Sequence, residues 1–314
     1  MININNYFVP GIFTTIFATP FIQADSVTWT KRSLEKDHSL ESFVDQKWNT
    51  QVENKKKDLD AEGTLNITIR QDERGLLAVY EGERKIMFDG TIFRVYDVHT
   101  AENKIILSLE EGRFSTINLS KDPEYRTLLK NKYGKVRNDA LGSSALLLTT
   151  DQYIVLTNRG EKTNTYKNQM YMPGGRPSIV DESPLEHQLG ENNEELGLDP
   201  HHFSSIHFYG IVADEQLNGN RELMFQMNLT LDSAEVKKSY DSLQKKPIDV
   251  ASLEFLPATP ESVLSRLIQD TPYQKERTGI VVPPTYGTLV HFGFNTYGQE
   301  WLNELDANIS QKLH

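Results

Sequence analysis

The stretch from Met170 to Gly197 constrains this chain most strongly, because a glycine pair stands directly before a helix crowded with carboxylates. Gly174 and Gly175 follow a short apolar run, and their backbone, which carries no side chain, can come close to a metal ion or a phosphate. A helical pattern covers residues 184–196, and Gly197 is a natural end for it. A strand, a glycine loop and a carboxylate helix in this order predict an α/β unit built around a polar site.

Three glutamates share one face of the predicted helix. Glu191, Glu194 and Glu195 are related as i, i+3 and i+4, so their side chains project together. At about 5–6 Å and an effective dielectric near 20, each pair repels by about 3 kcal/mol before screening. Residues 182–197 contain no Lys or Arg that could offset this charge. An acidic, solvent-facing surface is one interpretation, but the glycine loop in front favours a divalent cation, for which Mg²⁺ is the usual choice.

The spacing of these residues resembles the Nudix box, Gly-x5-Glu-x7-Arg-Glu-aliphatic-x-Glu-Glu-x-Gly-aliphatic. The matching positions are Glu182, Glu191, Glu194, Glu195, Gly197 and Leu198. Three positions differ: six residues instead of five separate Gly175 from Glu182, Gly190 replaces the arginine, and Asn192 replaces the aliphatic residue. In that family the arginine braces the loop against the helix. The resemblance implies a Nudix α/β/α sandwich with a mixed sheet.

The resemblance extends along the chain, which is similar to the Nudix hydrolases that cleave UDP-glucose and UDP-galactose. Those proteins also have a β-rich amino-terminal domain and an atypical box. The corresponding segments fall in the same order, at residues 21–24, 93–95, 124–129, 141–142 and 210–215. The implied reaction is Mg²⁺-dependent hydrolysis of UDP-glucose to UMP and glucose 1-phosphate.

The resemblance also implies a set of metal ligands. Glu191 and Glu195 are expected to hold Mg²⁺, or Mn²⁺ in its place, so that the cation bridges the diphosphate oxygens. The carbonyl of Gly175 is expected to be a further ligand. Glu182 is expected either to complete the metal shell or to support the loop.

The attacking water needs a base, and two glutamates are candidates. Glu194 lies in the box, and Glu215 is expected to supply a carboxylate from outside it. Glu215 and Glu222 both flank a predicted turn between two strands, so a solvated hairpin residue is the alternative for each. His187, inside the box helix, is expected at a half-exposed position.

Five residues outside the box are expected to bind substrate. Arg159 and Tyr166 stand before or within the loop that precedes Pro173, and the other three stand in a late proline-rich segment. These side chains can reach the diphosphate or the uracil base, whereas ordinary surface salt bridges or core packing are the alternatives. The later three are Lys275, Arg277 and Tyr286.

The patterning changes near residue 135, which predicts two domains. Residues 1–135 contain short strand-like runs and two helices, at 39–55 and 123–133, and form the β-rich amino-terminal domain. Residues 136–314 form the Nudix domain. Its predicted strands are 144–149, 152–158, 207–212 and 223–229, and its helices are 184–196, 233–243, 260–269 and 284–294.

Composition excludes several classes of function. With no cysteine among 314 residues, the chain has no disulfide, thiolate nucleophile or cysteine-ligated metal. Thirty-three Lys and Arg against 44 Asp and Glu give a net charge of −11, which argues against nucleic-acid and anionic-membrane partners. Residues 7–22 are apolar, but no basic residue precedes them and prolines interrupt them, so we expect a strand rather than a signal peptide and a cytoplasmic protein.

The expected ligand is therefore a small nucleoside diphosphate substrate, and the sequence leaves three points open. The same chemistry could act on ADP-ribose, a dinucleotide or coenzyme A. A non-catalytic nucleotide-binding module is the more distant alternative, which Gly190 and Asn192 motivate. The sequence does not define the oligomeric state.

Overall fold

A computed structural model provides the structure of the chain. It describes residues 4–9, 12–32, 38–71, 76–87, 89–101, 104–119, 122–133, 140–161, 163, 166–178, 180–217, 219–247, 249–270 and 280–313. Within these residues, no helix is long and apolar enough to cross a membrane.

The described part of the chain contains both strands and helices, which occur partly in runs of one kind. The strands are β1 Phe8–Val9, β2 Phe13–Gln23, β3 Val27–Arg32, β4 Ile67–Gln71, β5 Leu77–Glu81, β6 Arg84–Met87, β7 Thr91–Ala101, β8 Lys104–Arg113, β9 Leu141–Leu148, β10 Tyr153–Arg159, β11 Met170–Tyr171, β12 Phe203–Asp214, β13 Asn220–Leu229 and β14 Val250–Pro257. The helices are α1 His38–Ala61, α2 Ser115–Asn118, α3 Pro123–Tyr133, α4 Pro184–Leu196, α5 Ser233–Ser242, α6 Pro260–Gln269, α7 Pro283–Tyr297 and α8 Gln299–Leu313.

One large mixed sheet organises the molecule. Its strand order is β1-β2-β12-β13-β9-β10-β11, and β14 also pairs with β10. The β13–β9 pair is parallel, whereas the other strand pairs of this sheet are antiparallel. Residues 141–147 of β9 are all buried, as expected for a central strand that is covered on both faces.

Each face of this sheet is covered by its own hydrophobic core. Helices α6, α7 and α8 cover one face, where Tyr286, Leu289 and Trp301 pack with sheet residues. Helices α4 and α5 cover the other face together with the sheet β3-β8-β7. The fold is therefore an α/β sandwich with a mixed central sheet, as the sequence predicts.

The first strands of the chain lie in the large sheet. Strand β2 pairs with β12 from His207↔Gln23 to Asp214↔Phe13, and Phe13 is fully buried. The predicted division at residue 135 therefore does not coincide with an edge of this sheet. The apolar alternation at residues 12–18 that predicts a strand accounts for the pairing.

The rest of the amino-terminal part forms two three-stranded sheets. Sheet β4-β5-β6 packs against α1 through Trp48 and Val52, both fully buried. Sheet β3-β8-β7 packs against the large sheet through Phe93 and Leu107. The amino-terminal part thus contacts the box region directly.

Candidate active site

Local capping fixes the box helix α4. The Ser183 side chain accepts a hydrogen bond from the Glu186 N–H at 3.1 Å, and Pro184 occupies the first helical position. Gly197 ends the helix with a φ of 71°, a conformation that favours glycine. The helix spans Pro184–Leu196, as its sequence predicts.

The glycine pair brings the preceding loop against the sheet and against α4. A Cβ atom on Gly174 would lie 2.1 Å from the Ser143 carbonyl oxygen. One on Gly175 would lie 2.4 Å from Oε2 of Glu191. A side chain at Gly174 would clash with the backbone of β9, whereas one at Gly175 would displace the Glu191 carboxylate. The loop therefore delivers bare backbone to the carboxylates.

The three box glutamates differ in exposure. Glu191 lines a cavity with a side chain that is 24% exposed, and Glu194 is exposed at the same cavity. Glu195 is buried and accepts a hydrogen bond from the Gly174 N–H at 3.0 Å. The Gly175 carbonyl accepts a hydrogen bond from the Ser143 N–H at 2.8 Å, and the His187 imidazole also interacts with it.

Burial makes these carboxylates costly to ionise. Burial raises the pKa of Glu191 to about 7, against an opposing effect of His187. Burial and the charge of Glu191 raise the pKa of Glu195 well above its ordinary value. A positive charge placed beside the pair would reverse both shifts.

His187 is buried rather than half-exposed, so that expectation is wrong. Its Nδ1 lies 3.1 Å from Oδ2 of Asp181 and 3.8 Å from Oε1 of Glu191. Burial acts to lower the pKa of His187, but the hydrogen bond that it donates to the Asp181 carboxylate and the charge of Glu191 raise it overall. The imidazole links the loop to the carboxylate-bearing face of α4, and its i, i+4 spacing to Glu191 is the signal that could have revealed this.

Uncharged groups tie the glycine loop to the helix. Gln188 Nε2 donates to the Pro173 carbonyl and to Oδ1 of Asn192, each at 3.1 Å. Ser143 Oγ donates to Oε1 of Gln188 at 2.7 Å. Gly190, by contrast, is exposed, and a Cβ there would meet nothing within 4 Å. Gln188 and Asn192 thus supply a bracing contact of the kind that the resemblance gives to the absent arginine.

Glu222, not Glu215, is the glutamate that the β12–β13 hairpin supplies to the cavity. Glu215 is exposed and accepts a hydrogen bond from Thr14 Oγ1 at 2.9 Å, outside the set of described residues that line the cavity. Glu222 lines the cavity, is 8% exposed and accepts a hydrogen bond from the Tyr171 hydroxyl at 2.6 Å. Burial raises the pKa of Glu222 to about 7. The pairing of β13 with β9 places Glu222 opposite Gly142 and so beside the glycine loop.

Asp214 adds another buried carboxylate to the cavity. It accepts a hydrogen bond from the Tyr166 hydroxyl at 2.5 Å and others from the N–H groups of Gln216 and Leu217. Burial raises the pKa of Asp214 to about 6 against these hydrogen bonds. Tyr166, expected to bind substrate, also lines the cavity.

Three arginines line the cavity together with these carboxylates. Arg159 lies with its guanidinium carbon 5.1 Å from the centre of the Tyr171 ring. Arg176 and Arg221 line the same cavity, and the sequence analysis did not identify either. For Arg176 the available signal was its place directly after Gly175. Guanidinium groups are suited to phosphate oxygens.

The remaining expected site residues do not gather here. Tyr286, a residue of α7, is fully buried in the core and donates its hydroxyl to the Leu267 carbonyl at 3.1 Å, so its expected contact with substrate is wrong. Lys275 and Arg277 lie outside the described residues. Glu182 is exposed next to the helix cap and does not belong to the described lining of the cavity.

The cavity has a volume of about 440 Å³ and an acidic balance. Five carboxylates and three guanidinium groups among its described lining residues give a formal charge of 3 − 5 = −2. The carboxylates are Glu191, Glu194, Asp214, Glu222 and Asp249. Oxygen donors with this excess of negative charge fit a hard divalent cation such as Mg²⁺ or Mn²⁺.

A second group of metal-binding residue types has a structural explanation. Ligand atoms of Asp199, His201 and His202 approach one another within 4.8 Å at the surface. However, His202 Nδ1 accepts a hydrogen bond from the Asp199 N–H at 3.0 Å, and Asn193 Nδ2 donates to Asp199 Oδ1 at 2.7 Å. These bonds cap the turn that follows α4.

Comparison with known proteins gives structural likeness without sequence relatives. No family model and no curated protein matches the chain. A Deinococcus radiodurans structure is 15% identical, with a TM-score of 0.35, over 57% of this chain and 89% of its own. The MutT protein of Methanosarcina mazei is 16% identical, with a TM-score of 0.30, over 53% and 92%. The Nudix domain of NrtR from Shewanella oneidensis, complexed with ADP-ribose, is 14% identical, with a TM-score of 0.33, over 55% and 88%.

Proposed function

We propose that this chain is a Nudix-type hydrolase that cleaves the phosphoanhydride bond of a nucleoside diphosphate sugar, with UDP-glucose as the leading substrate. The observation that carries the proposal is the convergence of Glu191 and Glu195 on the Gly174-Gly175 loop, at a cavity that arginines also line. The cytoplasmic location expected from the sequence is part of the same proposal.

The carboxylate end of the cavity binds the cation in this proposal. Glu191, Glu195 and the Gly175 carbonyl are its protein ligands, and Glu182 remains a candidate for the outer shell. When bound, the cation supplies positive charge to the diphosphate oxygens as the anhydride bond breaks. His187 holds Glu191 in place through its contacts with Asp181 and Glu191.

The arginine side binds the phosphates. Arg159 and Arg176 donate to non-bridging oxygens, and their fixed positive charge offsets the negative charge that the reaction places on the leaving phosphate. Tyr171 keeps Arg159 in the cavity by stacking under it. The products of UDP-glucose and water are UMP and glucose 1-phosphate.

Glu222 is the base in this proposal, and Glu194 is the alternative at the rim. Glu222 lies inside the cavity with one carboxylate oxygen held by the Tyr171 hydroxyl, which leaves the other oxygen to accept a proton from water. A carboxyl with a pKa near 7 is well matched to accept and release that proton at neutral pH.

The test is hydrolysis of a substrate panel with Mg²⁺: UDP-glucose, UDP-galactose, ADP-ribose, a dinucleotide and coenzyme A. Phosphate released after addition of a phosphomonoesterase measures turnover, and chromatography identifies UMP and glucose 1-phosphate. We expect cleavage of the UDP-sugars that chelator abolishes and Mg²⁺ or Mn²⁺ restores. Preferred cleavage of another diphosphate would make that compound the substrate in place of UDP-glucose. Binding without any turnover would overturn the proposal that the chain is an enzyme.

A further inference from the structure

The cavity continues beyond the carboxylates to the end of the β12–β13 hairpin. Asp214 pairs with Asn220 at that end, and Glu222 pairs with Gly142 nearer the glycine loop. With a rise of about 3.4 Å per residue, Asn220 lies about 7 Å beyond Glu222 along β13. The proposed cleavage site therefore adjoins a further part of the same cavity, two residues away along β13.

Asn220 is the unusual residue in this space. It lines the cavity and is only 5% exposed, yet neither Oδ1 nor Nδ2 has a hydrogen-bond partner among the residues that the structure describes. Buried amides are normally paired, so an unpaired one at a cavity points to a ligand that pairs with it. A ligand that satisfies both atoms must present a donor and an acceptor side by side.

Apolar side chains also line the cavity, and the amino-terminal part of the chain supplies some of them. Phe114 and Ile117 line the cavity from the β8–α2 region, and Leu217 lines it from the turn before β13. Such side chains suit the faces of a flat ring. The combination of an apolar slot and an amide edge is the chemistry that recognises a nucleobase.

Arg176 completes the arrangement. Its guanidinium carbon lies 5.9 Å from the centre of the Phe114 ring, and its Nη1 has no hydrogen-bond partner within the described part of the chain. A cation at this position suits the phosphate that is joined to the nucleoside. Base, phosphate and metal would then follow one another along the cavity.

We propose that the hairpin end of the cavity is a uracil subsite in which Asn220 reads the imide edge of the base. Asn220 Oδ1 accepts from the uracil N3–H, and Nδ2 donates to an adjacent carbonyl, while Phe114 packs on the ring. This proposal rests on the proposed function and adds the residues that select the base.

Steady-state kinetics on wild type and Asn220→Leu test the assignment, with Asn228→Leu at the far end of β13 as the matched control. We expect Asn220→Leu to raise KM for UDP-glucose roughly 10- to 100-fold, as the loss of two hydrogen bonds predicts, with little change in kcat. Asn228 bonds to Ser205 and Gln226, away from the cavity lining, so its variant should keep the wild-type KM.

A second measurement changes the substrate. UDP-glucose that is methylated at uracil N3 has lost the donor, so wild type should bind it worse than UDP-glucose by a similar factor, and Asn220→Leu should no longer distinguish the two. Equal KM values for the two substrates on wild type, or an Asn220 dependence seen only with ADP-ribose, would overturn the uracil assignment. Absence of any nucleotide-sugar hydrolysis by wild type would instead count against the proposed function.

Discussion

Glu195→Gln is the most informative single change, because the structure separates its effect on folding from its effect on metal binding. Glu195 is 8% exposed, and the Gly174 N–H donates to its carboxylate at 3.0 Å. Glutamine has the same shape and keeps an oxygen for that hydrogen bond. The substitution therefore removes a charge without opening a cavity or leaving the Gly174 donor unpaired.

The size of the folding effect follows from the carboxylate pair. Glu191 and Glu195 are one helical turn apart, about 5–6 Å, and at an effective dielectric near 20 their repulsion is about 3 kcal/mol when both are ionised. Because burial raises the pKa of both groups, part of this repulsion is already relieved by protonation at neutral pH. We therefore expect the metal-free variant to be more stable than wild type by a fraction of that figure.

Metal binding and turnover should change in the opposite direction. Without the Glu195 charge, the stabilisation of the protein by added Mg²⁺ should largely disappear. Turnover of UDP-glucose should fall by about 10³-fold, which corresponds to about 4 kcal/mol of lost transition-state stabilisation. Glu186→Gln, an exposed position on the same helix, is the control that should keep both properties.

Thermal unfolding with EDTA and with Mg²⁺, together with the phosphate-release assay, measures these quantities on one preparation. A variant that turns over UDP-glucose at the wild-type rate with saturating substrate and Mg²⁺ would refute the role of Glu195. A metal-free variant that is markedly less stable than wild type would refute the account of charge repulsion.

Three further predictions concern protonation, the box and the amino-terminal strands. Burial raises the pKa of Glu191 and Glu222 to about 7, so the folded chain holds more protons than the unfolded chain between about pH 4.5 and pH 7. The free energy of unfolding in EDTA should therefore fall as pH rises through this window, by up to about 3 kcal/mol per group. Urea unfolding at several pH values measures it, and Glu222→Gln should flatten the dependence. Gly190→Arg should stabilise the protein by about 0.5–1 kcal/mol and leave its response to Mg²⁺ unchanged, because the position is exposed on a helix; a lowered melting temperature would contradict this. Residues 136–314 alone should aggregate or lose activity, since they lack strand β2 and expose the edge of β12; a stable, fully active fragment would show that the amino-terminal part is dispensable.

The box was the part that sequence could predict in most detail. The cap at Ser183, the proline after it and Gly197 are local signals, so the limits of α4 follow from the residues themselves. Helices α3 and α6 likewise have the predicted limits. The sequence analysis missed α8, although Trp301, Leu305 and Ile309 bury one side of it, and also β14, whose place depends on pairing with distant β10.

The rest of the site depends on contacts that are remote in sequence. Glu215 and Glu222 look alike along the chain, and only the pairing of β13 with β9 puts Glu222 beside the glycine loop. Tyr286 looks like a binding residue in a proline-rich stretch, but its position on α7 places its side chain in the hydrophobic core. Asn220 carries no motif, and its interest arises from a buried amide with no hydrogen-bond partner among the described residues, which a sequence does not display.

The pairing of β2 with β12 has a consequence for how the chain reaches its native state. Thr14 and Glu215, whose side chains are hydrogen-bonded, are separated by 201 residues. At a synthesis rate of about 5–20 residues per second, the ribosome needs roughly 10–40 s after making β2 to produce its partner strand. During that interval the apolar residues 7–22 have no sheet to join, so closure of the large sheet is a late event with high contact order. Chaperone capture of nascent chains should therefore concentrate on this first segment and end once β12 has emerged.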